Sequence, residues 1–139
     1  MNRNTLLKNV LLAVSVLCMG LILCPNDTVA FSIKSADIDH IKNSETNYKI
    51  NTLFMEIHPK KGYVIAGEIM IYLMDFKTGG EHYRTVFVNE QGDSSYAGSV
   101  KASHWVGKRV VVKGYKLDSG EIVAESIEKV AARNKKKGK

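Results

Sequence analysis

Cysteine is almost missing from this chain, with only Cys18 and Cys24, both close to the N-terminus. Proline is as scarce, at Pro25 and Pro59, and Trp105 is the single tryptophan. From Pro25 onward there is therefore no material for a disulfide, a Cys-metal site or a thiolate nucleophile. No internal repeat appears, and no low-complexity tract apart from a lysine-rich end. The longest apolar run after Cys24, Tyr63 to Met74, is too short for the roughly 20 residues of a membrane-spanning helix. What is present suits one small domain: 139 residues, 45% hydrophobic and 24% charged, enough to build a core and too apolar for disorder throughout.

The first thirty residues divide into a basic start with Arg3 and Lys8, an apolar stretch from Val10 to Cys24, and Pro25 followed by Thr28-Val29-Ala30. That order is the order of a signal peptide, with cleavage expected before Phe31. Export to the periplasm or the extracellular space follows, and processing removes both cysteines. An uncleaved anchor is the alternative. A lipoprotein signal fits less well, because Leu17 precedes Cys18 and Leu23 precedes Cys24 where a small residue is wanted.

Charge is unevenly spread. Between Phe31 and Ala132 acidic and basic residues balance, so the basic excess of the processed chain rests in Arg133, Lys135, Lys136, Lys137 and Lys139. A basic isoelectric point carried by a tail says little about the folded surface. Four segments are expected: the signal peptide over residues 1–30, an N-terminal segment over 31–47, a β-domain over 48–130 and a basic, disordered tail over 131–139.

Within the body, residues 35 to 45 have the makings of one or two helical turns, with Ser35 as cap, Asp37 near the N-terminus, and Ile38 and Ile41 on one face. Strand signals begin at Tyr48. Lys49 to Ile57 ends in the turn His58-Pro59-Lys60-Lys61-Gly62. Tyr63 to Met74, with Gly67 inside it, reads as one bent strand or two in succession. Lys77-Thr78-Gly79-Gly80 turns the chain into a strand over His82 to Asn89. Tyr96, Val100 and His104 recur every four residues, which suggests a short helix between Ser94 and Trp105 that Gly98 weakens by about 1 kcal/mol. Two final strands, Lys108 to Leu117 and Glu121 to Val130, flank Asp118-Ser119-Gly120.

The expected class is therefore all-β with one or two short helices. The stretch Trp105-Val106-Gly107-Lys108-Arg109-Val110-Val111-Val112-Lys113-Gly114-Tyr115, then Asp118-Ser119-Gly120 and Ile122 to Ile127, resembles the closing hairpin of exported bacterial OB-fold proteins. The resemblance covers about residues 48 to 130. It implies a Greek-key OB-like barrel of five or six strands, and it implies no particular ligand.

Little in the sequence nominates chemistry. His40, His58, His82 and His104 lack metal-ligand spacing, and the carboxylates are scattered. Gly98-Ser99-Val100 lacks the second glycine of a nucleophile elbow, and Lys77 to Gly80 lacks the length of a phosphate loop. No catalytic centre, metal or cofactor is expected; an enzyme or metal protein assembled from His58, His82 and His104 is the third-ranked class.

Surface patterning points to binding. With Ile69, Ile71 and Leu73 turned inward, Met70, Tyr72, Met74 and Phe76 form an outward apolar stripe, to be covered by the Ile38/Ile41 segment, by the helix before Trp105, or by a partner. Inward Val110 and Val112 place Arg109, Val111, Lys113 and Tyr115 on the opposite face, an interleaving of cations and an aromatic ring suited to a polyanion. The first expectation is an exported, non-catalytic module that binds a protein partner. The alternative is a binder of nucleic acid, anionic polysaccharide or lipid headgroups through the tail and the Arg/Lys/Tyr face. Tyr72, His82, Arg84, Arg109, Lys113 and Tyr115 are the candidate contacts.

Overall fold

The computed structural model describes residues 33–131. The expected signal peptide and the five tail cations lie outside those residues.

Helix α1 (Ser35–Asn43) opens the described chain. Strands β1 (Tyr48–His58), β2 (Tyr63–Ala66) and β3 (Ile69–Leu73) follow as an antiparallel meander. Two hairpins come next, β4 (Asp75–Thr78) with β5 (Glu81–Arg84), and β6 (Val86–Val88) with β7 (Ser94–Tyr96). A 3-10 turn at Ala97–Ser99 and the one-turn helix α2 (Ala102–Trp105) lead into β8 (Arg109–Lys116) and β9 (Ile122–Lys129).

Five of these strands close on themselves in the order β3-β2-β1-β8-β9, with β9 pairing back to β3 in parallel through Tyr72 opposite Val123 and Leu73 opposite Ala124. This is a small OB-like barrel, as the sequence led us to expect. Strand alternation fills it. Phe54, Val64, Ala66, Ile71, Val110, Val112 and Ile127 are fully buried, and so is Phe87 from β6. Trp105, delivered by α2, packs against Phe54 and Phe87 with ring centroids 5.7 and 5.2 Å away. Hydrogen bonds from Gly107 N to Phe54 O and from Phe54 N to Lys108 O fasten the α2–β8 junction to β1.

The third barrel strand is interrupted. After Leu73 the chain leaves the edge of β9, makes the β4–β5 hairpin, and returns as β6, which pairs in parallel with the next stretch of β9 from Ser126 to Glu128. The hairpin tip is Gly79-Gly80, both at positive φ (58° and 84°), the conformation that two-residue hairpin turns require and that glycine adopts at little cost. The single strand expected over His82 to Asn89 is thus two short ones, broken at Thr85.

Two further expectations are corrected. Ser94 to Trp105 is not one helix: Ser94–Tyr96 pairs with β6, and only its last four residues are α-helical. Gly98 and the edge hydrogen bonds offered by β6 outweigh the four-residue periodicity. Ser35 does not cap α1; Lys34 is the N-cap, without a side-chain cap hydrogen bond.

Outside the barrel wall lies a second, smaller core of Ile41, Met74, Tyr115, Leu117 and Val123, with Ile33, Tyr72 and Phe76 partly buried against it. Helix α1 therefore covers the lower part of the expected stripe. A nine-residue helix is too short to be stable alone, so its docking through Ile41 is what holds it.

Candidate functional site

Covering by α1 divides the stripe. Met74 is buried at 6% exposure, whereas Met70 remains 46% exposed. Beside Met70 stand two residues that the sequence reading had not singled out, Leu53 and Met55, each also 46% exposed. Register makes them neighbours. Met70 lies opposite Ile65, Ile65 lies opposite Glu56, and the β1 irregularity between Phe54 and Glu56 carries Met55. Leu53 adjoins them through its carbonyl, which accepts the Gly67 N–H at 2.7 Å. The outer face of β1, β2 and β3 thus carries an exposed apolar group, Leu53, Met55 and Met70, with Lys49, Asn51 and Glu56 of β1 exposed beside it.

This face was partly legible. Inward residues on β1 run Ile50, Thr52, Phe54 and then Ile57, a step of three that only a bulge can produce in a period-two strand. Leu53, adjacent to Phe54, cannot share its direction.

The six candidate contacts do not converge. Tyr115 points outward from the barrel as expected, but α1 and its neighbours leave it only 6% exposed, so its ring is unavailable to a ligand. Burial also raises its phenol pKa. Tyr72 is half-buried beside the same cluster. Lys113 donates to Glu128 at 2.7 Å, and that bond holds the Glu128 carboxyl below its ordinary pKa. Arg109 is exposed on the same face of β8. Of the three residues expected to form a polyanion face, one is covered and one is neutralised.

His82 and Arg84 sit apart, on the outward face of the β4–β5 hairpin, a sheet separate from the barrel. His82 Nε2 is 2.6 Å from Asp75 Oδ1. The Arg84 guanidinium carbon lies over the Tyr96 ring, 3.7 Å from its centroid. Beside this pair is a cleft of about 300 Å³, lined by Asp75 and Arg84 and by Leu73, Met74, Pro59 and Ala97 among others.

A second cleft, about 390 Å³, opens between the β6–β7 hairpin and α2 and is lined by Glu90, His104, Trp105 and Lys129 among others. Lys129 is 8% exposed; it donates to Glu90 at 3.2 Å and sits 4.7 Å from the Trp105 ring centroid. The Glu90 carboxyl is held below its ordinary value, first by a backbone hydrogen bond and then by Lys129. Lys129 and Glu90 of this cleft are thus spent on each other.

His58 pairs with Glu56 at 2.8 Å, His82 with Asp75, and His104 lines the second cleft, so the three histidines do not meet. Among the described residues no group of three or more His, Cys, Asp or Glu side chains is placed to hold a metal ion, and no helix is long and apolar enough to cross a membrane. No family model, curated protein or solved structure matches this chain.

Proposed function

We propose that this chain is an exported, non-catalytic binding module that holds a protein partner against the outer face of β1, β2 and β3. The observation that carries the reading is the apolar group Leu53, Met55 and Met70, each about half exposed among the described residues. Contiguous apolar surface of this kind marks contact sites in soluble proteins. The group is smaller than the roughly 800 Å² per partner of a standard interface, so it serves as the apolar centre of a contact whose rim is polar. Export is supported by the order of the first thirty residues, basic, then apolar, then Pro25 and a small residue at Ala30.

The test is capture from the native envelope or medium with the wild-type chain and with the double variant Leu53→Glu, Met70→Glu. Both positions are exposed, so thermal stability should stay close to wild type. A partner retained at high salt by the wild type and lost by the variant supports the reading. Retention on heparin or single-stranded DNA that moderate salt abolishes, and that deletion of Arg133 to Lys139 also abolishes, would instead assign the chain to polyanion binding.

A further inference from the structure

Arg84 and Asp75 are directly opposite each other in the β4–β5 register, the position at which a cross-strand ion pair ordinarily forms. They do not pair. Asp75 gives Oδ1 to His82, and Arg84 turns its guanidinium onto the exposed ring of Tyr96. Among the described residues no carboxylate forms an ion pair with Arg84. Its planar fork of N–H donors lies over that ring with no carboxylate partner among the described residues, and the second oxygen of Asp75 is an acceptor without a hydrogen-bond partner among them.

Both groups line the 300 Å³ cleft, together with Pro59, Ala97, Leu73 and Met74. Leu73 is buried in the main core and Met74 in the second, which fixes the backbone between them. Three features thus meet in one place: a donor fork, a negatively charged acceptor and an apolar hollow near the small end of the range for ligand clefts. We propose that this cleft binds the α-carboxylate end of an aliphatic amino-acid residue. The carboxylate takes the Arg84 fork, the adjacent nitrogen donates to Asp75, and the side chain lies against Pro59 and Ala97. A free amino acid and the C-terminus of a polypeptide share that chemistry. This site does not depend on the apolar face of β1 to β3.

Titration of the ¹⁵N-labelled full chain, following the Arg84 side-chain N–H and the amides of Gly62, Gly98 and Ser99, tests it with four probes. Leucine, N-acetyl-leucine, leucinamide and hexanoate separate the features. Saturable shifts with leucine alone assign a free amino acid, and shifts with N-acetyl-leucine as strong or stronger assign a polypeptide terminus. In both cases leucinamide, without the carboxylate, and hexanoate, without the nitrogen, should bind at least about tenfold more weakly. Arg84→Gln should abolish the shifts, and Arg84→Lys, which keeps the charge and loses the planar fork, should weaken them about tenfold with melting temperature unchanged. No shift with either carboxylate probe, equal binding of leucinamide, or equal binding of hexanoate would overturn the proposal. Partner capture through Leu53 and Met70 would be untouched by Arg84→Gln, so failure here and failure of the protein-binding reading are told apart.

Discussion

Thr85 and Met74 hold each other across the base of the β4–β5 hairpin: Met74 N–H donates to Thr85 Oγ1 at 2.7 Å, and Thr85 N–H donates to the Met74 carbonyl at 3.1 Å. The same hydroxyl donates to Ala124 O on β9 at 2.6 Å. Thr85 is a fully buried polar side chain, and all of its capacity goes into fixing the points where the chain leaves and rejoins the barrel wall. Thr85→Val keeps the shape and removes the hydroxyl, stranding the Met74 N–H. Such a loss costs about 1–3 kcal/mol. Thr85→Ser, which keeps the hydroxyl and loses one methyl, should cost about 1 kcal/mol. Urea unfolding of the two variants checks the order; a valine variant as stable as the serine one would mean that the clamp contributes only packing.

Gly114 marks the closest approach of β8 and β9. A Cβ there would fall within the van der Waals envelope of the Val123 carbonyl and crowd the Ala124 backbone, beside the point where the β8–β9 register shifts. Backbone cannot yield as a flexible side-chain tip does. Gly114→Ala should therefore destabilise by about 1–3 kcal/mol or more, although alanine is otherwise the better strand residue. Chemical denaturation with amide exchange on β9 would read it. A variant at or above wild-type stability would show that the strands can separate there without penalty.

These two positions show what the sequence discloses and what it conceals. Val110-Val111-Val112 and the turn Asp118-Ser119-Gly120 make the closing hairpin visible, because β-branched residues and turn chemistry act locally. The inward set Ile71, Leu73, Val110 and Val112 follows from alternation alone. By contrast, the break at Thr85 depends on β9, some forty residues away, and nothing near Thr85 announces it. Likewise Ser94 to Tyr96 becomes strand because β6 offers it an edge, against a helical spacing of Tyr96, Val100 and His104. As for the candidate site, the direction of Tyr115 could be read from strand parity, but its covering by Ile41 could not. Leu53 is legible only through its parity with buried Phe54, because the two share one apolar run.

Ile41 is the residue through which α1 seals the second core, at 4% exposure above Met74, Tyr115, Leu117 and Val123. The helix has no side-chain N-cap bond and only nine residues, so it depends on that contact, with Ile33 beside it and Asn47 bonded to Lys116 just beyond its end. Ile41→Ala should cost about 2–4 kcal/mol of local stability, seen as faster amide exchange across residues 35–43 rather than as loss of the barrel. Removing the chain before Tyr48 should go further, baring Met74 and Tyr115 and promoting self-association in light scattering. A truncated domain that stays monomeric at unchanged melting temperature would contradict a covering role for α1.

Lys49 and Lys113 face each other across β1 and β8, a like-charge pair that the fold tolerates because Glu128 on β9 bonds to Lys113 and feels Lys49 as well. The hydrogen bond from Lys113 is the main cause of the lowered Glu128 pKa, ahead of the charge of Lys113, the Ser126 hydroxyl and Lys49. A carboxyl with a depressed folded-state value stabilises the fold above the unfolded value, about 4.5, and that contribution is lost as pH falls through the folded value. Both partners are more than a third exposed, so solvent screening keeps the pair below about 1 kcal/mol. Lys113→Met also relieves the repulsion from Lys49, which offsets part of the loss. The variant should therefore be slightly less stable than wild type at pH 7, with the gap closing as the solution is acidified below the ordinary carboxylate range. Urea midpoints at pH 7 and pH 3 measure it, and a gap independent of pH would assign the role of Lys113 to its aliphatic stem rather than to its charge.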